Sequence, residues 1–129
     1  MDTRQVIDYW LSDAKLDITV AEHLYASEDY LYCLFICHLF VEKTLKALVV
    51  GKTGQHAPPI HNLVLLAKAA DVSTDERQDI LLRDLMRFNI ESRYPKDREA
   101  LRRSCDKGYA LAKLEEAKEF RKWLEKKIR

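Results

Sequence analysis

The stretch Tyr30–Val50, YLYCLFICHLFVEKTLKALVV, decides the fold. Leu31, Cys33, Leu34, Phe35, Ile36, Cys37, Leu39, Phe40 and Val41 leave almost no polar face in its first half. A helix that is apolar all round is either central in its domain or shared with a partner. The segment Leu31–Val50 is the best candidate in the chain for crossing a membrane. It contains Glu42, Lys43 and Lys46, however. Each charge near the centre of a membrane helix costs about 2.5–3.5 kcal/mol. The stretch is therefore expected to be a buried helix of a soluble protein, with no membrane partner. Gly51 is the expected C-terminal cap. The loop KTGQHAPP follows, and Pro58-Pro59 forbids any helical continuation.

Upstream, Asp2 or Thr3 can cap a first helix that runs to about Ser27. Its apolar stripe is Ile7, Trp10, Ala14, Ile18, Ala21 and Tyr25, at spacings of three and four. Downstream, a short helix is expected from about Ile60 to Ala70. Ser73 or Thr74 can cap a fourth helix that reaches about Ser92. Pro95 ends it, because the residue before a proline avoids helical geometry. A last segment runs from Asp97 to the end, with an interruption near Gly108. Its stripe is Ala110, Leu114, Ala117, Phe120, Leu124 and Ile128. The terminal KKIR reads as a frayed, solvated end. No convincing strand or internal repeat occurs. The expectation is an all-α antiparallel bundle of about five helices, forming a single domain over residues 1–129. Four helices form an up-and-down core and one short helix is extra.

Composition narrows the function. With 22 basic and 21 acidic residues, the chain has no global basic field for nucleic acid, so only a local patch could bind it. Cys33, Cys37 and Cys105 read as reduced, buried thiols of a cytoplasmic protein. No CxxC or HExxH pattern, phosphate-binding glycine loop or serine-hydrolase elbow is present, and neither metal nor cofactor is expected. Met1-Asp2-Thr3-Arg4 leads into a charged amphipathic segment, so no signal peptide is expected.

Three segments, in order, carry a resemblance: HLFVEKTLKALV (His38–Val49), HNLVLLAKAA (His61–Ala70) and IESRYP (Ile90–Pro95). Together they resemble the HEPN family, over nearly the whole chain. The resemblance implies a helical bundle, usually a homodimer, often encoded beside a minimal nucleotidyltransferase in a toxin–antitoxin-like pair. Some members of that family are toxin ribonucleases and others are described as nucleotide binders. Several positions depart from the pattern. His38-Leu39 stands where the family often has a Gln pair, and His61-Asn62-Leu63 replaces its His-Asp-Leu. Ribonuclease members carry an Arg followed, after four to six residues, by a His. Here no histidine occurs after His61.

That absence leans away from an enzyme. Metal-free RNA cleavage needs a group that exchanges protons near neutral pH, and histidine suits this. Arginine stabilises phosphate charge but stays protonated. The candidate ligand-binding residues are Arg93, Tyr94, Arg87, Glu42, Lys43, His38 and His61, with no catalytic residue assigned. Their expected ligand is a nucleotide or RNA. Glu42 has two readings. It can pair with Lys46 on the polar side of its helix, or lie buried and hold Arg93 or Arg87. Arg87, Glu91 and Tyr94 would share a helix face by spacings of four and three. Three functional readings remain open: a ligand-binding homodimer acting with a nucleotidyltransferase, a ribonuclease toxin with a displaced or degenerate site, and a non-catalytic interaction dimer.

Overall fold

The computed structural model describes residues 2–128; Arg129, the last residue of the KKIR end, lies outside them. Six α-helices follow in order: α1 Thr3–Ala26, α2 Tyr30–Thr53, α3 Leu63–Ala69, α4 Glu76–Ile90, α5 Pro95–Ser104 and α6 Lys107–Glu125. A single 3₁₀ turn, Glu91–Arg93, separates α4 from α5. No strand occurs among the described residues.

Helix α2 is the central element, packed against α1, α3, α4, α5 and α6. That explains its all-round apolar start: Leu31, Cys33, Leu34, Cys37 and Phe40 are buried by their own chain. From α1, Ala14 and Ala21 are fully buried, and Trp10, Ile18 and Tyr25 are half-buried beside them. The stripe of α6 enters the same core through Ala110, Leu114, Ala117, Phe120 and Leu124. Residues 27–29 alone join α1 to α2, with Glu28 in the left-handed region at φ 64°. Such a link returns the chain beside itself, and α1 and α2 share the most extensive packing.

Local chemistry moves several expected boundaries. Helix α2 runs past Gly51 to Thr53, and Gly54 is its cap, at φ 71°. The apolar face continues through Val49 and Val50, so packing carries the helix one turn further. Asp2 caps α1 in a capping box with Gln5. Helix α3 begins only at Leu63, capped by the Asn62 side chain. Asp75 caps α4 in a box with Gln78, whereas the Thr74 hydroxyl bonds the Asp79 carboxylate. Tyr94 is extended (φ −113°, ψ 122°) and Pro95 opens α5. The last segment breaks at Cys105-Asp106, where Asp106 caps α6; Gly108 lies within that helix.

Candidate functional site

Helical spacing places His38, Glu42 and Lys46 on one face of α2, four residues apart. All three are buried, an expensive arrangement for ionisable groups in an apolar helix. The loop after Gly54 closes over them. His61, 57% exposed, turns its Nδ1 onto the Glu42 carboxylate, 3.1 Å from Oε1 and 3.2 Å from Oε2. The Lys46 ammonium is 3.1 Å from Oε2 of the same carboxylate. Lys46 also lies over the Trp10 ring of α1, 5.3 Å from its centroid. Glu42 is thus a buried anion held from two sides, by a cation of its own helix and by a loop imidazole.

His38 fixes that loop. Its Nε2–H donates to the His61 carbonyl at 3.0 Å. The proton on Nε2 leaves Nδ1 bare. That buried atom makes no hydrogen bond and lies 3.7 Å from Glu42 Oε1. Burial lowers the affinity of His38 for a second proton, and the nearby His61 and Arg93 act in the same sense. The Glu42 charge and the bond to the His61 carbonyl oppose this, and burial prevails.

The arginines take other positions than the helix-face reading assigned. Neither Arg93 nor Arg87 holds Glu42; His61 and Lys46 do. Arg93 folds back on the end of α4, with Nε donating to the Asn89 carbonyl at 3.0 Å and an Nη donating to Asn89 Oδ1 at 3.3 Å. The residue as a whole remains exposed. Arg87 pairs with Glu91 at 2.8 Å, the expected i,i+4 bond. Tyr94 does not continue that face, because the 3₁₀ turn and the extended conformation of Tyr94 rotate it away; its side chain is 60% exposed. Lys43 points to α1 instead of the cluster, bonding Asp13 at 2.6 Å and Asp17 at 2.7 Å. The structure therefore brings together His38, Glu42 and His61, with Arg93 in electrostatic reach, and sets Lys43 and Arg87 apart. His23 and His56 are exposed.

Asn89, buried beneath Arg93, is a contributor that sequence reasoning missed. Its signal was an amide in an apolar turn, between Phe88 and Ile90. Among the described residues no group of three or more His, Cys, Asp or Glu side chains is arranged to hold a metal ion. No helix among them is long and apolar enough to cross a membrane. Cys33, Cys37 and Cys105 are free and buried.

The architecture is that of a small all-α domain whose central helix carries a buried polar cluster under one loop. Residues 7–127 match the family model of the HEPN domain, and the chain belongs to that family. The crystal structure of TT1696 from Thermus thermophilus is similar in fold, with a TM-score of 0.80 and 24% identity over 95% of this chain and 98% of that one. No curated protein matches the sequence.

Proposed function

We propose that this HEPN protein is a single-domain ligand-binding module that takes a nucleotide or another phosphate-bearing molecule at the surface formed by His61, Arg93 and Tyr94. The observation that carries the reading is the exposed residue Arg93, within electrostatic reach of the buried His38 that seats the His61 loop. A guanidinium whose Nη groups are not exhausted by Asn89 can grip a phosphate through paired hydrogen bonds. An exposed tyrosine at the adjoining position offers a ring or hydroxyl to a base. The absence of any histidine after His61 weighs against the ribonuclease alternative. Calorimetric titration with nucleoside mono- and diphosphates tests the reading. Arg93→Ala should weaken binding at least about tenfold, the loss of one charge-assisted pair, while the protein stays folded. Unchanged affinity in a folded Arg93→Ala variant would remove Arg93 from the site.

The same reading extends to a cytoplasmic homodimer acting with a minimal nucleotidyltransferase, as in toxin–antitoxin-like pairs. Its support is the family, together with exposed apolar residues on α1: Tyr9, Leu16 and Val20. The start of α2 gives less support than its sequence suggested: Leu31, Cys33, Leu34, Cys37 and Phe40 are buried within the chain, while Tyr32 is exposed and Phe35, Ile36 and Leu39 are half-buried. Sedimentation at micromolar concentration tests assembly, and a monomer of the 15.1 kDa chain mass would refute it.

A further inference from the structure

We infer, resting on the anion-binding reading above, that Asn89 is a positioning residue: it holds one edge of the Arg93 guanidinium and leaves another edge, with its charge uncompensated, for a phosphate. A guanidinium carries five N–H donors in a planar fork. In Arg93 the side edge of that fork falls on one residue. Nε donates to the Asn89 carbonyl at 3.0 Å, and Nη2 donates to the Asn89 side-chain Oδ1 at 3.3 Å. Three donors remain. Two of them, one on each Nη, form the end edge, whose spacing suits two oxygens of a single phosphate. Two bonds on the side edge fix the plane of the guanidinium, and with it the direction of the end edge.

The two bonds have different origins. The Asn89 carbonyl is one of the acceptors left over at a helix end, and an arginine bonded to it serves the helix as much as any ligand. The Oδ1 bond has no such explanation. Asn89 is buried between Phe88 and Ile90, where a polar side chain costs desolvation and α4 needs none. Its neutrality is the second clue. Arg87, Arg102 and Arg121 each face a glutamate three or four residues away: Glu91, Glu99 and Glu125. Arg93 has no carboxylate partner among the described residues. Arg98, at the same corner between α4 and α5, is held in the same way, by an Nη donating to the Ser92 carbonyl at 3.4 Å. A carboxylate in place of the Asn89 amide would hold Arg93 as firmly but would cancel the charge an anion needs.

The experiment is calorimetric titration of the full chain with adenosine diphosphate, with urea unfolding of each variant beside it. Asn89→Asp keeps the shape and the acceptor; affinity should fall at least about tenfold while the chain stays folded. Asn89→Ala keeps the carbonyl bond and loses the Oδ1 hold. Affinity should fall about two- to tenfold, the preorganisation of one long side chain. The same change made in Arg93→Ala should have no further effect, because Asn89 acts through Arg93. Arg93→Lys, at an exposed position that does not put folding at risk, keeps the charge and loses both edges of the fork; it should bind at least about threefold more weakly than the parent. Parent-like affinity in a folded Asn89→Asp or in Arg93→Lys would overturn the inference and leave the anion site standing. An equal loss from Asn89→Ala with and without Arg93 would show that Asn89 acts elsewhere, and would overturn it as well. No binding of the diphosphate to the parent would overturn both the inference and the reading beneath it.

Discussion

Replacing Glu42 by alanine removes the one carboxylate that binds both Lys46 and His61. Lys46 is 8% exposed at its side chain, so its ammonium would be left buried without a counter-ion. Breaking a buried ion pair from one side costs about 3–5 kcal/mol. The Trp10 ring, 5.3 Å from the ammonium, returns part of this, about 0.5–2 kcal/mol. The His61 loop also loses its side-chain tether, worth about 1 kcal/mol at an exposed position. Glu42→Ala should therefore destabilise by about 2–5 kcal/mol, a large share of the roughly 5–15 kcal/mol that holds a small domain together. Glu42→Met combined with Lys46→Met should recover most of the loss, since similarly sized apolar side chains replace both charges. Urea unfolding followed by circular dichroism measures both variants at constant slope. A loss below about 1 kcal/mol in Glu42→Ala, or a double variant less stable than Glu42→Ala, would refute the buried-pair account.

Other expectations follow from the same structure. Gly54→Ala should cost about 1–2 kcal/mol in thermal or urea unfolding, because φ is 71° there while the added Cβ meets nothing within 4 Å. His38 binds its second proton less readily folded than unfolded. Its contribution to stability is therefore complete above the unfolded value near 6.5 and is lost as pH falls through the lower folded value. A His38→Gln variant should show a flatter loss of stability between pH 7 and 5 than the parent. Burial raises the Cys37 thiol well above its usual range and Cys105 to about 11. Neither should react with an aromatic disulfide reagent at pH 8 until urea unfolds the chain, and rapid reaction of the folded protein would contradict their burial.

How far the chain could be read depends on which contacts are local. The helices were legible because their stripes are periodic; the all-round apolar start of α2 left it either central or shared with a partner, and packing by five other helices makes it central. Ends were less so: Gly51 and Gly54 both suit a cap, and only packing of Val49 and Val50 carries the helix to the second. Within the site, His38, Glu42 and Lys46 share a face by their spacing alone. Of the partners of Glu42, Lys46 was legible from its i,i+4 spacing, whereas the burial of that pair and the second partner, His61, were not. Arg87 and Arg93 were reasonable candidates, since a buried carboxylate needs a cation. Lys46 was only four residues away, and the remaining donor came from a loop. The course of residues 54–62 depends on Pro58-Pro59 and on the seating of Leu63, whose N–H meets Met86 Sδ at 3.3 Å. No periodicity encodes such a contact. Lys43 was misplaced for a related reason: one position beside Glu42 in sequence is a rotation of about 100° on a helix, enough to turn it toward Asp13 and Asp17.

The buried cluster is more than the fold requires. Lys43 with Asp13 and Asp17 already ties α1 to α2, and Leu45, Leu48 and Val49 continue the core of α2 without polar atoms. Apolar residues at 38, 42 and 46 would satisfy the same helix at less desolvation cost. A charged triplet there serves the loop above it: His38 holds the backbone of His61, and Glu42 orients its ring. Both bonds fix one exposed imidazole by its main chain and its side chain together. Two buried groups constraining one solvent-facing histidine is the arrangement expected where the position of that ring matters to a ligand. A purely structural loop anchor would need only the first of the two bonds. Fixing the ring as well takes the second bond, and Glu42→Gln would separate the two: a loop still seated by His38, and a His61 ring no longer directed by a charge.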